Sequence, residues 1–301
     1  MTGEVRLDPM TPAEHADWSE HSVRGFTAQQ VAVGLQAEPE ALAAARRELS
    51  ALLPDGLDTA GHHLWTVRDG DGDTVGHLWL WVRALPTEVE AYVLDIEILA
   101  AERGRGLGRA TMLAVAAAAL AEGATVLRLN VFGHNVAARR LYAGLGFVVT
   151  EVTMTRRLGP AGQPADEGVR VGLRDMTTAE YAVFRADHAA DDLDRILPDG
   201  PATGGHRLWT AYDGHVAVGR AWLHLQHRSD GVHGFGHELR VHEELRRRGY
   251  GRSMLAAVEQ ECRALGVATL TLSRSGGDVG ERSSWAQRGF ELTAQTMERP
   301  L

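Results

Sequence analysis

Apolar positions change their period along the chain, and each change marks an element. Residues 40–53 (EALAAARRELSALL) repeat apolar side chains at three and four and stop before Pro54, the pattern of an amphipathic helix with its stop signal. Helices are predicted over Thr11–Ser22 and Thr27–Leu53. The segments LWTVRD (64–69) and TVGHLWLWVR (74–83) alternate apolar and polar residues around the turn-forming DGDGD, which reads as a β-hairpin. Val89–Leu99 is a further strand, followed by a glycine loop and a helix over Gly108–Gly123. Then come a strand over Thr125–Phe132, a helix over Val136–Leu145 and a strand over Phe147–Arg157. This order predicts an α/β (α+β) layer fold, with helices covering a mixed, largely antiparallel sheet.

The pattern occurs twice. Leu53–Thr66 (LPDGLDTAGHHLWT) and Leu197–Thr210 (LPDGPATGGHRLWT) are identical at 10 of 14 positions, 144 residues apart. The register continues, one residue shorter, through Val75-Gly76 and Val218-Gly219, Trp79 and Trp222, and Gly146-Phe147 and Gly289-Phe290. A domain-sized period describes a tandem pair and not a solenoid. The intervening LGPAGQPADEG has two prolines, three glycines and no apolar period, so it reads as a linker. The expected organisation is residues 1–158, a linker over 159–168, and residues 169–301.

Composition narrows the function. The chain has 301 residues, 44% hydrophobic and 24% charged, within the globular range. The apolar run at 110–121 (ATMLAVAAAALA) is too short to cross a bilayer, the N-terminus lacks an apolar signal region, and Cys262 is the single cysteine. A cytoplasmic protein is expected. A net charge of -9 argues against nucleic acid as a partner. Fourteen histidines invite a metal reading, but neither His62-His63 nor His224, His227, His233 and His237 has zinc-site spacing, so no metal is expected. Cys262 sits at apolar helical spacing and reads as a core residue. The repeated LPDG…LWT segment reads most simply as a turn before a strand.

Candidate chemistry centres on Glu102–Arg109 (ERGRGLGR). Gly104, Gly106 and Gly108 let backbone approach a ligand, and the following helix start offers unpaired N–H groups to phosphate oxygens. Arg103, Arg105 and Arg109 add charge. The spacing matches neither the dinucleotide fingerprint nor the P-loop. Two motifs together carry a resemblance. Arg103-Gly104-Arg105-Gly106-Leu107-Gly108 resembles the Arg/Gln-x-x-Gly-x-Gly/Ala pyrophosphate loop of the GCN5-related N-acetyltransferases (GNAT). The segment from Asn130 through Asn135 and Tyr142 to Gly146-Phe147 resembles that family's N-x-x-A-x-x-L-Y-x-x-x-G-F stretch.

The resemblance implies two tandem GNAT domains and direct acetyl transfer from acetyl-CoA, as co-substrate, to an amine. Residues 103–109 would hold the pyrophosphate, strand backbone from Ile96 through Ile98 to Leu99 would pair with the pantetheine arm, and Asn135 would lie near the cofactor. The acceptor would be a small-molecule or peptide amine, with no nucleic acid or membrane partner, and the protein a monomer or homodimer. The attacking amine must lose a proton. Asp95 and Glu97 share a strand face and are candidates for a base or an ammonium-recognising group, or simply a solvated face. Tyr142 matches the family's tyrosine, an acid for the departing thiolate; a half-buried helix aromatic is the plainer alternative. Asn135 also suits an N-cap.

The second copy keeps the loop spacing (Arg246, Arg248, Gly249, Gly251) and places Glu238 where Asp95 lies. Trp285 replaces Tyr142 and Asp278 replaces Asn135. Indole is no useful acid, so this copy is expected to be catalytically weak or to use Ser283 or Ser284. Three rival readings remain: a non-catalytic acyl-CoA-binding module, an enzyme like the tandem mycothiol synthases, in which the C-terminal copy is active, or a nucleotide-phosphate binder.

Overall fold

A computed structural model of the protein describes residues 3–32, 38–159, 170–188, 192–228, 231–275 and 285–301. Contacts divide these into two compact units. The first contains the chain up to Val152, together with Ser275 and Thr293–Leu301; the second contains Thr153–Arg274 and residues 285–292. Residues 160–168 of the expected linker, Asp278, Ser283 and Ser284 lie outside the described residues.

The first unit runs β1 (Val5–Pro9), α1 (Pro12–Ala32), α2 (Glu38–Leu52), β2 (His62–Asp69), β3 (Thr74–Ala84), β4 (Val89–Ile98), α3 (Leu107–Ala121), β5 (Val126–Phe132), α4 (Val136–Gly144) and the first half of β6 (Val148–Arg157). The hairpin, the glycine loop and the strands and helices after it fall where the sequence pattern places them. The first helix does not stop at Ser22. It continues through Gly25 to Ala32, and Thr27 is buried with its hydroxyl donating to the Val23 carbonyl at 2.7 Å. One glycine inside a helix costs only about 1 kcal/mol, which the packing of Val23 and Trp18 offsets.

β1–β2, β2–β3 and β3–β4 pair antiparallel, and β4–β5 pairs parallel. The strand beside β5 comes from the far end of the sequence. Residues Thr293–Pro300 of β12 (Glu291–Pro300) lie antiparallel to β5, with Ala294 opposite Phe132 and Pro300 opposite Val126. β6 follows, its Thr150 hydroxyl donating to the Thr296 carbonyl at 3.4 Å. The Arg128 guanidinium fastens β12, bonding Glu298 at 2.8 Å and the buried Glu90 at 2.8 Å. One sheet face packs Leu78, Leu80, Val93, Leu127 and Leu129 against α3 residues Met112, Val115 and Ala119. Trp18, Leu53, Leu64 and Trp79 form a second cluster with α1 and α2 residues.

The second unit repeats the plan with β7 (Gly172–Asp175), α5 (Thr178–Asp187), α6 (Leu193–Ile196), β8 (His206–Asp213), β9 (Val216–Arg228), β10 (Gly231–Val241), α7 (Tyr250–Ala264) and β11 (Val267–Ser275). Its strand next to β11 is the second half of β6: Thr155 meets Thr271 at 2.9 Å, the Leu158 N–H donates to Ala268 O at 2.8 Å, and Arg156 pairs with the buried Glu259 at 2.8 Å. Thus the repeats as read from sequence and the units as packed in space differ by an exchange of terminal strands. Both copies retain a glycine where β3 or β9 passes its neighbour. A Cβ at Gly76 would sit 2.2 Å from the Glu97 carbonyl oxygen, and one at Gly219 2.3 Å from that of Arg240.

Candidate active site

The site of the first unit begins with a slip of one residue. Along β4, Ala91 and Val93 face the main core, but beyond them Ile96 and Ile98 do so. The β3 register shifts between Trp79↔Asp95 and Leu80↔Val93, leaving Leu94 unpaired. Such a bulge bends its strand and re-aims the residues after it. The parallel pairing with β5 ends at Val93↔Leu129. Past that point the two strands part, and a cavity of about 500 Å³ opens, lined by Val93–Glu97 of β4 and Leu129–Phe132 of β5. Residues of α1 and α2, His77, Trp79, Tyr92, Asn135, Tyr142 and Ala294 of β12 line the rest.

The bulge turns both Asp95 and Glu97 into this cavity. Asp95 receives the Trp18 indole N–H at 3.0 Å and the Ser22 hydroxyl at 3.2 Å, and His77 Nε2 lies 3.3 Å away; all three address Oδ2. Oδ1 has no partner among the described residues. Burial pushes the Asp95 carboxyl up, but His77, Trp18 and Ser22 more than offset it and hold it below the ordinary carboxylate value. Glu97 bonds His21 Nε2 at 2.7 Å and Arg103 Nη2 at 3.1 Å, with His77 Nε2 at 3.8 Å. The sequence reading found the two carboxylates but missed His21, His77, Trp18 and Ser22. The register His77↔Glu97 across the β3–β4 ladder is the signal that would have found His77.

Tyr142 stands on α4, buried beside Phe147 at a ring separation of 5.8 Å. Burial, with Asp95's charge adding to it, pushes its phenol up to about 12, so it stays protonated at neutral pH. Asn135 caps this helix, its Oδ1 accepting the Ala138 N–H at 3.1 Å. Arg139 in the same helix donates to Gln295 of β12 at 2.9 Å and to Gly133 O at 3.0 Å.

The glycine loop follows β4 directly. Gly104 and Gly106 adopt φ of 82° and 81°, left-handed values that explain glycine there. Gly106 is the N-cap of α3, which opens at Leu107 with its side chain buried and its backbone at the helix start. Gly108 instead lies beside Leu141, 3.4 Å from where a Cβ would stand. Arg103 Nε donates to Ile98 O at 2.9 Å, Arg105 pairs with Glu102 and, at 3.2 Å, with Asp69, and Arg109 reaches Gly144 O at 3.3 Å. Two of the three guanidiniums therefore already hold carboxylates. The helix start and the left-handed turn fit a pyrophosphate, which would share or replace those acids. The backbone of Ile96 and Ile98 lies beyond the last β4–β5 pair, and Ile96 lines the cavity.

The second unit keeps this backbone and changes the chemistry. Its bulge falls at His237, between Gly236 and Glu238, and its parallel pairing ends at Gly236↔Leu272, the positions equivalent to Leu94 and to Val93↔Leu129. Gly249 (φ 86°) caps α7, and Arg247 holds φ 63° where the first copy has Gly104. Gly251 follows inside the helix, and Arg246 lies 3.8 Å from Glu243; Arg248 is exposed. In place of His77 stands Arg220, buried, bonding Glu238 at 2.9 Å and Asp187 at 2.8 Å. His188 adds a contact to Glu238 at 3.1 Å. Trp285 packs 6.2 Å from Phe290.

The histidines retained in both copies have a structural role. Buried His62 accepts the Trp79 indole N–H at 2.9 Å, and His206 that of Trp222 at 3.1 Å. Burial lowers the pKa of both, His206 to about 4 with help from His224 and His237. The repeated segment thus carries, besides a turn, a buried histidine that holds the tryptophan of the next strand. Cys262 is fully buried, and burial pushes its thiol up to about 12.

Comparisons with known proteins agree with this geometry. The sequence profile of the Acetyltransferase (GNAT) family matches residues 32–147 and again 172–290. The chain is 33% identical over 156 residues to the uncharacterized N-acetyltransferase YycN of Bacillus subtilis (strain 168), covering 51% of this chain and 99% of that protein. It is 30% identical over 152 residues to YdgE of the same organism, covering 50% and 97%. The crystal structure of YycN superposes with a TM-score of 0.50 at 31% identity, covering 52% of this chain and 99% of that one. A GCN5-related N-acetyltransferase from Sphaerobacter thermophilus shares the fold over 98% of this chain and 95% of its own, with a TM-score of 0.57 and 17% identity. No helix among the described residues is long and apolar enough to cross a membrane. The chain belongs to the acetyltransferase (GNAT) family and carries its domain twice.

Proposed function

We propose that the first unit transfers an acetyl group from acetyl-CoA to a primary amine by direct attack, and that the second unit does no chemistry. One observation carries this reading. At the fork between β4 and β5, Asp95 presents a carboxylate oxygen with no partner among the described residues, in the same cavity as a protonated phenol. Acetyl-CoA supplies the thioester carbonyl. The glycine loop with Arg103, Arg105 and Arg109 holds its phosphates, and the backbone at Ile96 and Ile98 pairs with its arm. Asp95 binds and orients the acceptor's ammonium group. With its pKa held low, Asp95 is a poor proton acceptor, so the amine's proton leaves through a water relay. The amine nitrogen then forms its bond to the carbonyl carbon as the carbon–sulfur bond breaks, and the second proton that the nitrogen sheds on becoming an amide ends on the sulfur. Tyr142 donates a hydrogen bond to the departing sulfur. A phenol near 12 supports a thiolate more readily than it surrenders its proton to one.

In the second unit the equivalent carboxylate is neutralised by Arg220 and the phenol is absent, which favours a supporting role. The test is thiol release from acetyl-CoA across a panel of amines. Tyr142→Phe is expected to lower kcat about 10- to 100-fold with acetyl-CoA affinity unchanged, and Asp95→Asn to lower kcat/KM by about 100-fold or more. Wild-type turnover with neither variant impaired would strip both side chains of these roles. All 31 basic side chains of this chain are arginine, so acetyl-CoA consumed by lysines of the enzyme cannot mimic turnover.

A further inference from the structure

We propose that the acceptor is a small cationic amine with an apolar body and no carboxylate near its amino group: an alkyl- or aralkylamine, not the corresponding amino acid. This rests on the transferase reading above and narrows it to a substrate class.

Charge around the cavity is unbalanced. The described residues lining the cavity include three carboxylates, Glu48, Asp95 and Glu97, and no arginine. The carboxylates are not equivalent. Glu97 is matched by Arg103 at 3.1 Å and bonded by His21. Asp95 is held by an indole, a hydroxyl and an imidazole on Oδ2 alone, so its charge is stabilised without being cancelled, and Oδ1 remains for a ligand. Glu48, on α2, is exposed and has no ion-pair partner among the described residues. An ammonium group therefore meets attraction both at the rim and at the floor. An acceptor that carries its own carboxylate brings a like charge to Asp95 with no lining guanidinium to receive it. Inside a half-enclosed site such charges are poorly screened, so the repulsion is far larger than in water. Ala45, Leu49 and Leu52 of α2 line the cavity together with Val23 of α1 and Trp79 of β3, apolar surface for methylene or aryl groups.

Matched acceptors isolate the carboxylate. Phenethylamine and phenylalanine differ only by that group, and phenylalaninamide restores its bulk without its charge. Acetylation kinetics are measured with the intact protein, and binding of each amine by calorimetry with and without CoA. We expect kcat/KM for phenethylamine to exceed that for phenylalanine by at least about 30-fold, with phenylalaninamide recovering most of the difference. Glu48→Lys is expected to narrow the phenethylamine-to-phenylalanine ratio through KM. Equal use of phenylalanine would overturn the proposal while leaving the transferase reading intact. A phenylalaninamide as poor as phenylalanine would do the same, because exclusion would then be by size. Amine binding with this selectivity but without acetyl transfer would support the acceptor class and remove the transferase reading. No binding of any amine at about 10 mM, far above ordinary site affinities, would overturn the inference itself.

Discussion

The two repeats share a backbone plan and differ in what fills it. In both, a bulge at the equivalent position ends the parallel pairing, a left-handed turn starts the following helix, and a buried Trp–His pair anchors the hairpin. In the first, the carboxylate after the bulge is held by neutral or weakly basic donors on one oxygen and lines a cavity. In the second, a buried arginine is the carboxylate's partner, and the fork contains an internal ion pair. Arg247 held at φ 63° shows that the loop shape outlasts the glycine that would favour it, at a cost of about 1 kcal/mol or more. The fold therefore sets where a site can form; side-chain charge balance at three or four positions decides whether it does.

Making the first fork resemble the second should have the largest effect. His77→Arg copies Arg220 and would place a guanidinium against Asp95. Amine-dependent kcat/KM is expected to fall about 1,000-fold while acetyl-CoA titration by calorimetry still shows binding. Retained turnover would mean that Asp95 does not hold the acceptor. In the opposite direction, Arg220→Ala leaves Glu238 half-buried without its main cation. Urea denaturation should show a loss of about 3 kcal/mol, the usual consequence of removing one partner of a buried pair, with acetyl transfer by the folded fraction unaffected.

Much of this was legible in the sequence, for identifiable reasons. The repeat was visible because the segment at 53–66 returns nearly intact, and the elements because their apolar periods are clean. Even the bulge left a trace. In AYVLDIEI the buried positions move from odd (Ala91, Val93) to even (Ile96, Ile98) numbers, a slip in phase that reading Val89–Leu99 as one regular strand passed over. The strand exchange left none. β6 (VVTEVTMTRR) and β12 (ELTAQTMERP) have such similar alternation that each suits either partner, and alternation says which face a residue takes, not which neighbour its strand joins. Trp18, Ser22 and His21 reach Asp95 and Glu97 from α1, more than 70 residues away in sequence, and no local pattern encodes such a meeting.

The smallest expected effect sharpens what the copies have in common. His206 is held neutral in the folded state, with a pKa near 4, against an ordinary value of 6.5. Its depressed pKa makes protonation favour unfolding: its contribution is complete above about pH 6.5 and is lost as pH falls toward 4. His206→Gln should cost about 1 kcal/mol at pH 7.5, and the gap to wild type should close between pH 6.5 and 4 in denaturation curves. A constant gap would mean that the ring's charge state does not bear on stability.

The strand exchange also sets a timetable for biosynthesis. When a ribosome has made Val152, the first unit still lacks Thr293–Leu301, roughly 140 residues and ~7–28 s away at ~5–20 residues per second. Throughout that interval β5 has an open edge, the feature most prone to pairing with a wrong strand. The Arg128–Glu298 contact that closes the unit spans 170 positions, so a chain truncated before residue 293 lacks the strand that lies beside β5 in the full-length protein. The proposed active site in the first copy thus draws its last strand from the end of the second.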